Sequence, residues 1–242
     1  MLGKRSHQPE WIDLGKNFYT PTEYRDCLYQ LDRIGRFLGG DNSSFWAFKQ
    51  LSTTISRFKS ILDVGCGGGL FTLRLANRYP QAQVVGIDIS ADAIHFAKAR
   101  LNEQRPLLSN VQFSIADSPQ LDKNIRYDVV IATLVCHHLS DEELILFLKQ
   151  ACLVANQTII LNDLHRHFLA TIGFATIVPL FFRNRLIWHD GLLSIRRSFT
   201  HQEWKNFLEA AGIDESCYTI SWHWAFRWII MIDAEKLRER DQ

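Results

Sequence analysis

The sequence has few cysteines, almost no net charge and no long apolar run, and each shortage excludes a class of protein. The five cysteines are an odd number without a C-x-x-C pair, which argues against a disulfide framework and against a cysteine-based metal cluster. The net charge of +1 gives no electrostatic basis for nucleic acid as the main partner. We therefore expect a cytoplasmic protein with no metal site and no nucleic-acid partner.

The longest apolar run is too short to cross a membrane. It covers residues 168–182, and it contains Gly173 and Pro179, whereas a spanning helix needs about 20 apolar residues. The first 14 residues are polar and mixed, which predicts no signal peptide. At 242 residues the chain is long enough for one large domain or for one domain with a cap. Its 47% hydrophobic and 22% charged residues are ordinary for a globular protein. Nothing in the composition specifies an oligomeric state.

Apolar and amphipathic segments alternate from residue 60 onward. Strands and helices with short connections between them are typical of a doubly wound, Rossmann-like α/β fold with a mostly parallel sheet. Two more strands are predicted in segment 218–233, whose tryptophans we expect in the edge of the core, and they complete a seven-stranded sheet. The other predicted strands are 60–64, 84–88, 111–115, 129–133 and 158–161, and the helices between them are 70–78, 91–102 and 141–155.

Two amphipathic helices precede the first strand and form a cap rather than a separate domain. The first begins at Thr20, where Glu23 completes a capping box, and ends at Gly39. The alternation of strands and helices ends after the fifth strand, where the apolar run lies. The predicted division is an arm with a helical cap over 1–58 and an α/β domain over 59–242, with an inserted lid at about 164–199.

Three glycines at alternate positions follow the first strand in the stretch ILDVGCGGG, residues 61–69. Glycine tolerates positive φ and lets a ligand lie against the backbone, and the helix that follows presents free N–H groups to that ligand. A dinucleotide site requires G-x-G-x-x-G, but Leu70 occupies the place of the third glycine. The spacing G-x-G-x-G fits Gly65, Gly67 and Gly69 instead, and no Gly-Lys-Ser/Thr follows to make a P-loop.

Two acidic residues follow the next two strands. Asp88 ends the second strand, where dinucleotide and adenosyl sites alike use an acid to hold ribose hydroxyls. Asp117 follows the third strand, where a carboxylate can accept a hydrogen bond from an adenine amino group. The sequence therefore predicts a seat for a ligand that contains an adenosine.

The segments ILDVGCGGG, GIDIS, IAD and YDVVIATLVCHHL, in this order, resemble the class I S-adenosylmethionine-dependent methyltransferases. They cover residues 60–160. The resemblance implies S-adenosylmethionine as the cofactor, with the glycines near its methionyl part and the two acids near its adenosine. The residues that it implies as cofactor contacts are Asp63, Gly65, Cys66, Gly67, Gly69, Asp88, Ile89, Ala116, Asp117, Thr133 and Leu134.

Flanking segments resemble a narrower group, the small bacterial methyltransferases found beside type III polyketide synthases. They are Trp11-Ile12-Asp13 and residues 32–40, 162–167, 190–194 and 196–199. This resemblance implies a small lipophilic acceptor, such as a phenol, a quinol or a polyketide. Two other functions stay open from the residues, namely methylation of a ring carbon in a quinone precursor and cofactor binding without turnover.

Methylation of a phenol requires a base, because a phenol has a pKa near ~10 and is a poor nucleophile while protonated. His137 and His138 follow the fourth strand and His165 follows the fifth, so each is a candidate base or, alternatively, a structural histidine. Other polar or aromatic side chains near these strand ends are candidate substrate contacts, with a structural link or a solvated surface as the alternative. These are Asp163, His167, Trp188 and Arg197.

The apolar run 168–182 has three interpretations: core, substrate lid or a helix in a membrane interface. Its basic flanks, Arg166, Arg183 and Arg185, permit the last of these. We favour a lid over an oily acceptor, which leaves room for transient peripheral contact with a membrane surface.

Overall fold

The computed structural model describes residues 3–15, 17–52, 58–104, 106–117, 121 and 124–240. Its seven strands form one sheet in the order β3-β2-β1-β4-β5-β7-β6. β7 runs antiparallel to both of its neighbours, and all other pairs are parallel. The strands are β1 (Ser60–Val64), β2 (Gln83–Asp88), β3 (Val111–Ile115), β4 (Tyr127–Thr133), β5 (Ala155–Leu164), β6 (Tyr218–His223) and β7 (Arg227–Asp233).

Helices cover both faces of the sheet, as a doubly wound fold requires, and the predicted Rossmann-like α/β fold is confirmed. The predicted capping box at Thr20 is present, and similar boxes at Ser140 and Thr200 start two later helices. The helices are α1 (Pro21–Phe37), α2 (Gly40–Ser52), α3 (Leu70–Arg78), α4 (Ala91–Asn102), α5 (Asp141–Val154), α6 (Phe168–Phe181), α7 (Arg185–Arg197), α8 (His201–Ala210) and α9 (Ala234–Arg240).

The core lies in two layers, because successive side chains of each strand point to opposite faces of the sheet. Ile61 packs with α2, α3 and α4 on one face, and Leu62 packs with α5 and α8 on the other. The prediction for the late tryptophans is right for Trp228, which is buried, and wrong for Trp222 and Trp224, which are 47% and 67% exposed. Trp224 lies in the turn between β6 and β7, beyond the reach of the core.

The N-terminal arm and the insert are fastened to each other at the carboxyl edge of the sheet. The carboxylate of Asp190 in α7 accepts hydrogen bonds from the backbone N–H groups of Trp11, at 2.9 Å, and Ile12, at 3.0 Å. The indole of Trp11 stacks on His189 with ring centroids 3.8 Å apart. Arg5 anchors the start of the arm by donating to the carbonyl of Leu139 at 2.7 Å. The arm and α7 together therefore cover the ends of β4 and β5.

The apolar run forms α6, and most of its large side chains face outward. Leu180 is 77% exposed and Phe181 is 64% exposed. The ring of Phe174 packs against Gly191 of α7, where a β-carbon would lie 2.0 Å from the ring. No helix among the described residues has the length and apolar character that a membrane crossing demands.

Candidate active site

The three alternate glycines form a tight turn between β1 and α3. Gly65, Gly67 and Gly69 have φ of 65°, 52° and 71°, a region that other residues rarely adopt. A β-carbon on Gly65 would lie 2.3 Å from the side chain of Val135, and one on Gly69 would lie 2.7 Å from Ala97. A β-carbon on Gly67 would meet nothing within 4 Å, so this glycine marks the open side of the turn.

Asp88 connects the glycine turn to the end of β2. Its carboxylate accepts from the backbone N–H of Gly67 at 2.8 Å and from that of Ser90 at 2.8 Å. Burial raises the pKa of this carboxyl, and the two N–H groups oppose that rise. Both oxygens keep lone pairs for further donors, as the binding of ribose hydroxyls requires. Tyr24 of α1 covers this corner, with its hydroxyl 3.1 Å from that of Ser90.

The three other residues predicted near the adenosine lie beside Asp88. Ile89 is 70% exposed and offers an apolar surface for a ring to stack on. The backbone N–H of Ala116 donates to the carbonyl of Asp88 at 3.1 Å, which places Asp117 at the same edge. These positions fit an adenine lying between β2 and β3.

Asp63 and Cys66 lie on the protein side of the turn. The buried carboxyl of Asp63 accepts from the hydroxyl of Thr72 at 2.6 Å, and burial raises its pKa to about 7. Burial likewise raises the pKa of the Cys66 thiol. The structure thus gives Asp63 a partner within α3, which ties the first turn of that helix to β1.

The end of β4 carries one buried hydroxyl without a hydrogen-bond partner in the described residues and one residue with a strained backbone. The hydroxyl of Thr133 is buried and has no hydrogen-bond partner in the described residues. Leu134 has φ of 58°, and its N–H donates to the carbonyl of Asn162 at 2.8 Å. Such strain in a residue other than glycine is common at functional sites. The open turn and this strand end fit the methionyl part of the predicted cofactor.

His137 and Asp163 form a buried pair just beyond β4 and β5. The imidazole Nδ1 lies 2.7 Å from Asp163 Oδ1, and the backbone N–H of His137 donates to Oδ2 at 3.2 Å. Burial by itself would raise the pKa of Asp163, but His137 and the N–H of Leu164 hold it below its ordinary value. Asp163 therefore stays ionised and fixes the imidazole with Nε2 free to act.

His138 belongs to a different pair, formed with the N-terminal arm. Its Nδ1 lies 2.9 Å from Asp13, and its Nε2 lies 3.9 Å from Glu10. Burial lowers the pKa of this imidazole, but the charges of Glu10 and Asp13 outweigh burial and raise the pKa to about 9. The charge of His138 also opposes the rise that burial causes in the pKa of Asp88. His138 is therefore a cation at neutral pH, on the cofactor side of the cluster.

Glu10 is a residue of this cluster that the sequence analysis missed. It is buried, it accepts from the hydroxyl of Ser194 at 2.9 Å, and it lies 3.8 Å from His137 Nε2. Glu10, His137 and His138 bring one ligand atom each within 4.8 Å of one another, an arrangement that could hold a metal ion. No local pattern marks Glu10, because only the fold of the arm brings it to the histidines.

The histidines after β5 have other surroundings. His165 lies 4.6 Å from Trp228 between ring centroids, and burial together with the charges of His167 and Arg166 lowers its pKa to about 4. His167 accepts from the N–H of Leu169 at 3.2 Å and so caps α6. The contacts of both residues are with this cap and with the hairpin between β6 and β7, not with His137.

The two remaining predicted substrate contacts, Arg197 and Trp188, also have partners within the protein. Arg197 is buried and donates to the carbonyls of His137, at 2.9 Å, His138, at 2.7 Å, and Gln8. The indole N–H of Trp188 donates to the carbonyl of Phe182 at 2.6 Å. Arg197 therefore joins the histidine turn to the arm and to α7, and Trp188 closes the loop between α6 and α7.

Known proteins resemble this chain most in the stretch that contains the cofactor turn. Residues 61–157 match the family model described as a methyltransferase domain. The malonyl-[acyl-carrier protein] O-methyltransferase of Acetivibrio thermocellus is 40% identical over 81 residues, which are 34% of this chain and 27% of that protein. The pavine N-methyltransferase of Thalictrum flavum is 35% identical over 92 residues, or 38% and 25% of the two chains. The chain thus matches about a quarter of the length of these relatives.

Solved structures show the same fold over most of the chain. The plantazolicin methyltransferase BpumL, crystallised with S-adenosylhomocysteine, superposes with a TM-score of 0.68 at 18% identity and covers 92% of both chains. The magnesium protoporphyrin IX methyltransferase of Synechocystis superposes with a TM-score of 0.57 at 19% identity and covers 81% and 84%. Residues 61–157 therefore match a methyltransferase domain, which supports the predicted class over that stretch. The predicted cofactor is the one, as S-adenosylmethionine or its demethylated product, with which these structures of the same fold were crystallised.

The turn allows a test that separates ligand contact from folding, because Gly67 and Gly69 both have positive φ but differ in their surroundings. Gly67→Ala should lower the free energy of unfolding by about 1 kcal/mol and weaken S-adenosylhomocysteine binding at least tenfold. Gly69→Ala adds a collision with Ala97 and Phe113 and should cost a further ~1–3 kcal/mol. Thermal unfolding and calorimetry measure the two effects. If Gly67→Ala and wild type bind S-adenosylhomocysteine equally well, the ligand does not lie against Gly67 and the assignment is refuted.

The ion pairs of His138 make stability depend on pH. Its pKa is raised from 6.5 to about 9, so its contribution is complete below pH 6.5 and is lost as the pH rises through 9. Wild type should exceed His138→Gln by roughly 1–2 kcal/mol at pH 6, and the difference should shrink by pH 9.5. Urea unfolding at several pH values measures this, with His95→Gln, a change of an exposed residue of α4, as the control. A difference that does not change with pH would contradict the assignment.

Proposed function

We propose that the protein is an S-adenosylmethionine-dependent O-methyltransferase that acts on a hydroxyl group of a small lipophilic molecule of the phenol, quinol or polyketide type. One observation carries the proposal: the buried pair of His137 and Asp163 lies beyond β4, beside the seat of the cofactor. The matched relatives support an enzyme of this class, and the identity of the acceptor is our inference from the site.

The cofactor, when bound, supplies a methyl group on a positively charged sulfur. The contribution of the protein is to align the acceptor oxygen with that methyl group, which alone can supply several kcal/mol, and to remove the hydroxyl proton. We assign proton removal to His137 Nε2. Its Nδ1–H donates to Asp163, so the carboxylate stabilises the imidazolium that forms when Nε2 accepts the proton.

The pKa values of His138 and His165 argue against each of them as the base, and the geometry of the pair with Asp163 favours His137. His138, with a pKa of about 9, already carries a proton at neutral pH. His165, with a pKa of about 4, is neutral but a weak base. We assign His138 instead to electrostatics, as a cation that pairs with Glu10 and Asp13 and holds the arm over the site.

Two features support a lipophilic acceptor. The insert contributes α6, whose apolar side chains lie at the surface next to α7. Among the relatives, the ubiquinone biosynthesis O-methyltransferase of Candida albicans is 27% identical over 118 residues. Its name specifies methylation on oxygen in the synthesis of a quinone, which is the acceptor chemistry proposed here.

Replacing the proposed base should separate catalysis from cofactor binding. His137→Gln should lower turnover of a phenolic acceptor by about 10²–10³, because Gln cannot take the proton, and should change affinity for S-adenosylhomocysteine less than threefold. His95→Gln serves as the matched control and should change neither. Mass spectrometry gives the rate, and carbon-13 NMR of the product identifies the methylated atom.

Three results would count against this proposal. A methyl group on ring carbon would establish the alternative reaction, C-methylation of a quinone precursor. Full turnover by His137→Gln, with a loss in His138→Gln, would move the base to the other histidine. A wild-type protein that binds the cofactor and methylates no member of an acceptor panel would favour the binding protein without turnover.

A further inference from the structure

Arg227, the first residue of β7, is a buried cation without a carboxylate partner. Its side chain is 2% exposed, and no carboxylate of the described residues lies within 4 Å of it. Its hydrogen bond to the neutral amide of Asn162 is long, at 3.4 Å, and its Nε–H has no partner. Buried charges are ordinarily paired, because desolvation of an unpaired one is costly. This guanidinium therefore needs an explanation.

The two other buried arginines are held differently. Arg166 donates to the carboxylate of Glu203 at 2.5 Å and to the carbonyl of Ser198 at 2.7 Å. Arg197 donates to three backbone carbonyls. Both arginines join elements of the scaffold, whereas Arg227 joins nothing by a short hydrogen bond. Burial lowers the pKa of Arg227 to about 10, and the charges of Asp163 and Asp41 only partly oppose it.

The surroundings of Arg227 offer one distant acceptor, the amide oxygen of Asn162, and the N-terminal turn of α2. Its guanidinium packs against Gly40, where a β-carbon would lie 3.0 Å from the central carbon and from Nη2. Gly40 begins α2, a helix of 13 residues, whose first N–H groups have no partner within the helix. That helix end is the positive end of the α2 dipole. Asn162 turns its amide oxygen to Arg227 and donates its NH₂ to Gly40 and Ser44.

Strand pairing places Arg227 on the same face of the sheet as the unsatisfied Thr133, two residues further along the strands. Thr133 is paired with Asn162 in β4 and β5, and Leu164, two residues along, is paired with Arg227 in β7. Paired residues, and residues two apart on a strand, point to the same face of the sheet. Thr133, Asn162 and Arg227 therefore share the face that α2 covers, and two of the three have an unused polar atom.

We propose that Arg227, with the hydroxyl of Thr133 and the start of α2, forms a buried subsite for a carboxylate group of a ligand. A planar guanidinium with free N–H groups matches a carboxylate in two parallel hydrogen bonds. The subsite rests on the proposed function, because the carboxylate belongs either to the methionyl part of S-adenosylmethionine or to the acceptor. Its role is to position the ligand, not to take part in proton transfer.

The subsite predicts opposite effects on folding from two matched changes. Arg227→Met removes an uncompensated buried charge and should raise the Tm of the ligand-free protein. Arg166→Met removes a charge that Glu203 compensates and should lower the Tm. Scanning calorimetry without ligand compares both with wild type. A Tm for Arg227→Met that falls as far as that of Arg166→Met would show that Arg227 is a scaffold residue, and it would overturn the subsite.

Binding then identifies the source of the carboxylate. Wild type should prefer S-adenosylmethionine to its decarboxylated form by at least 30-fold, and Arg227→Met should lose that preference while it binds the decarboxylated form within threefold of wild type. If the preference survives in the variant, malonate should raise the Tm of wild type and not of Arg227→Met, which assigns the subsite to the acceptor. The proposal would be refuted if Arg227→Met still prefers S-adenosylmethionine to its decarboxylated form and malonate changes the Tm of both proteins equally or not at all.

The same titrations separate this inference from the proposed function. A wild-type protein that binds neither form of the cofactor would refute the methyltransferase proposal by itself. The carboxylate subsite would then be decided by the malonate measurement alone, with Arg166→Met as the control for the loss of a buried guanidinium.

Discussion

The buried carboxylate of Asp163 is the contact on which the acceptor side of the site depends. It accepts from the imidazole and the backbone N–H of His137 and from the N–H of Leu164. Because these groups are removed from water, each must find its partner within the protein. The short turn that carries the histidines is thereby fixed to β5. Arg197 in turn occupies the carbonyls of that turn, so the arm and α7 are positioned from the sheet outward.

Two neighbouring residues of β5 contact different parts of the site. We call these parts the two poles: Asp163 with His137 on one face of the sheet, and Asn162 with Arg227 on the other. Successive side chains of a strand alternate between faces, so Asp163 faces His137, whereas Asn162 faces α2 and Arg227. The glycine turn and Asp88 lie on the other side of β4, at the carboxyl ends of β1 and β2. This is the usual place for a ligand in a doubly wound sheet, at the switch in strand order. The single strand β5 therefore positions both the guanidinium of Arg227 and the proposed base His137.

Local patterns predicted most of the fold and the cofactor side of the site. The strands, the caps at Thr20 and Ser140 and the glycine turn each depend on residues close in sequence, which act through backbone geometry and hydrogen bonding. The two poles depend on contacts between distant segments. Glu10 lies 127 positions before His137, and Arg227 is joined to Asn162 across 65 positions. No spacing in the sequence marks such pairs, and Arg197 looked like a substrate contact because its carbonyl partners come from the fold.

The distribution of satisfied and unsatisfied polar groups separates scaffold from site more sharply than residue type does. Arg166, Arg197 and Arg227 are all buried arginines, yet only Arg227 has neither a carboxylate nor a backbone carbonyl as its partner. Thr72 and Thr133 are both threonines beside the cofactor turn, and Thr72 donates to Asp63 while Thr133 has no partner among the described residues. A buried polar group left unpaired costs stability. Its persistence on the face that α2 covers, beside groups of the same kind that have carboxylate or carbonyl partners, is the reason for proposing that a ligand completes it.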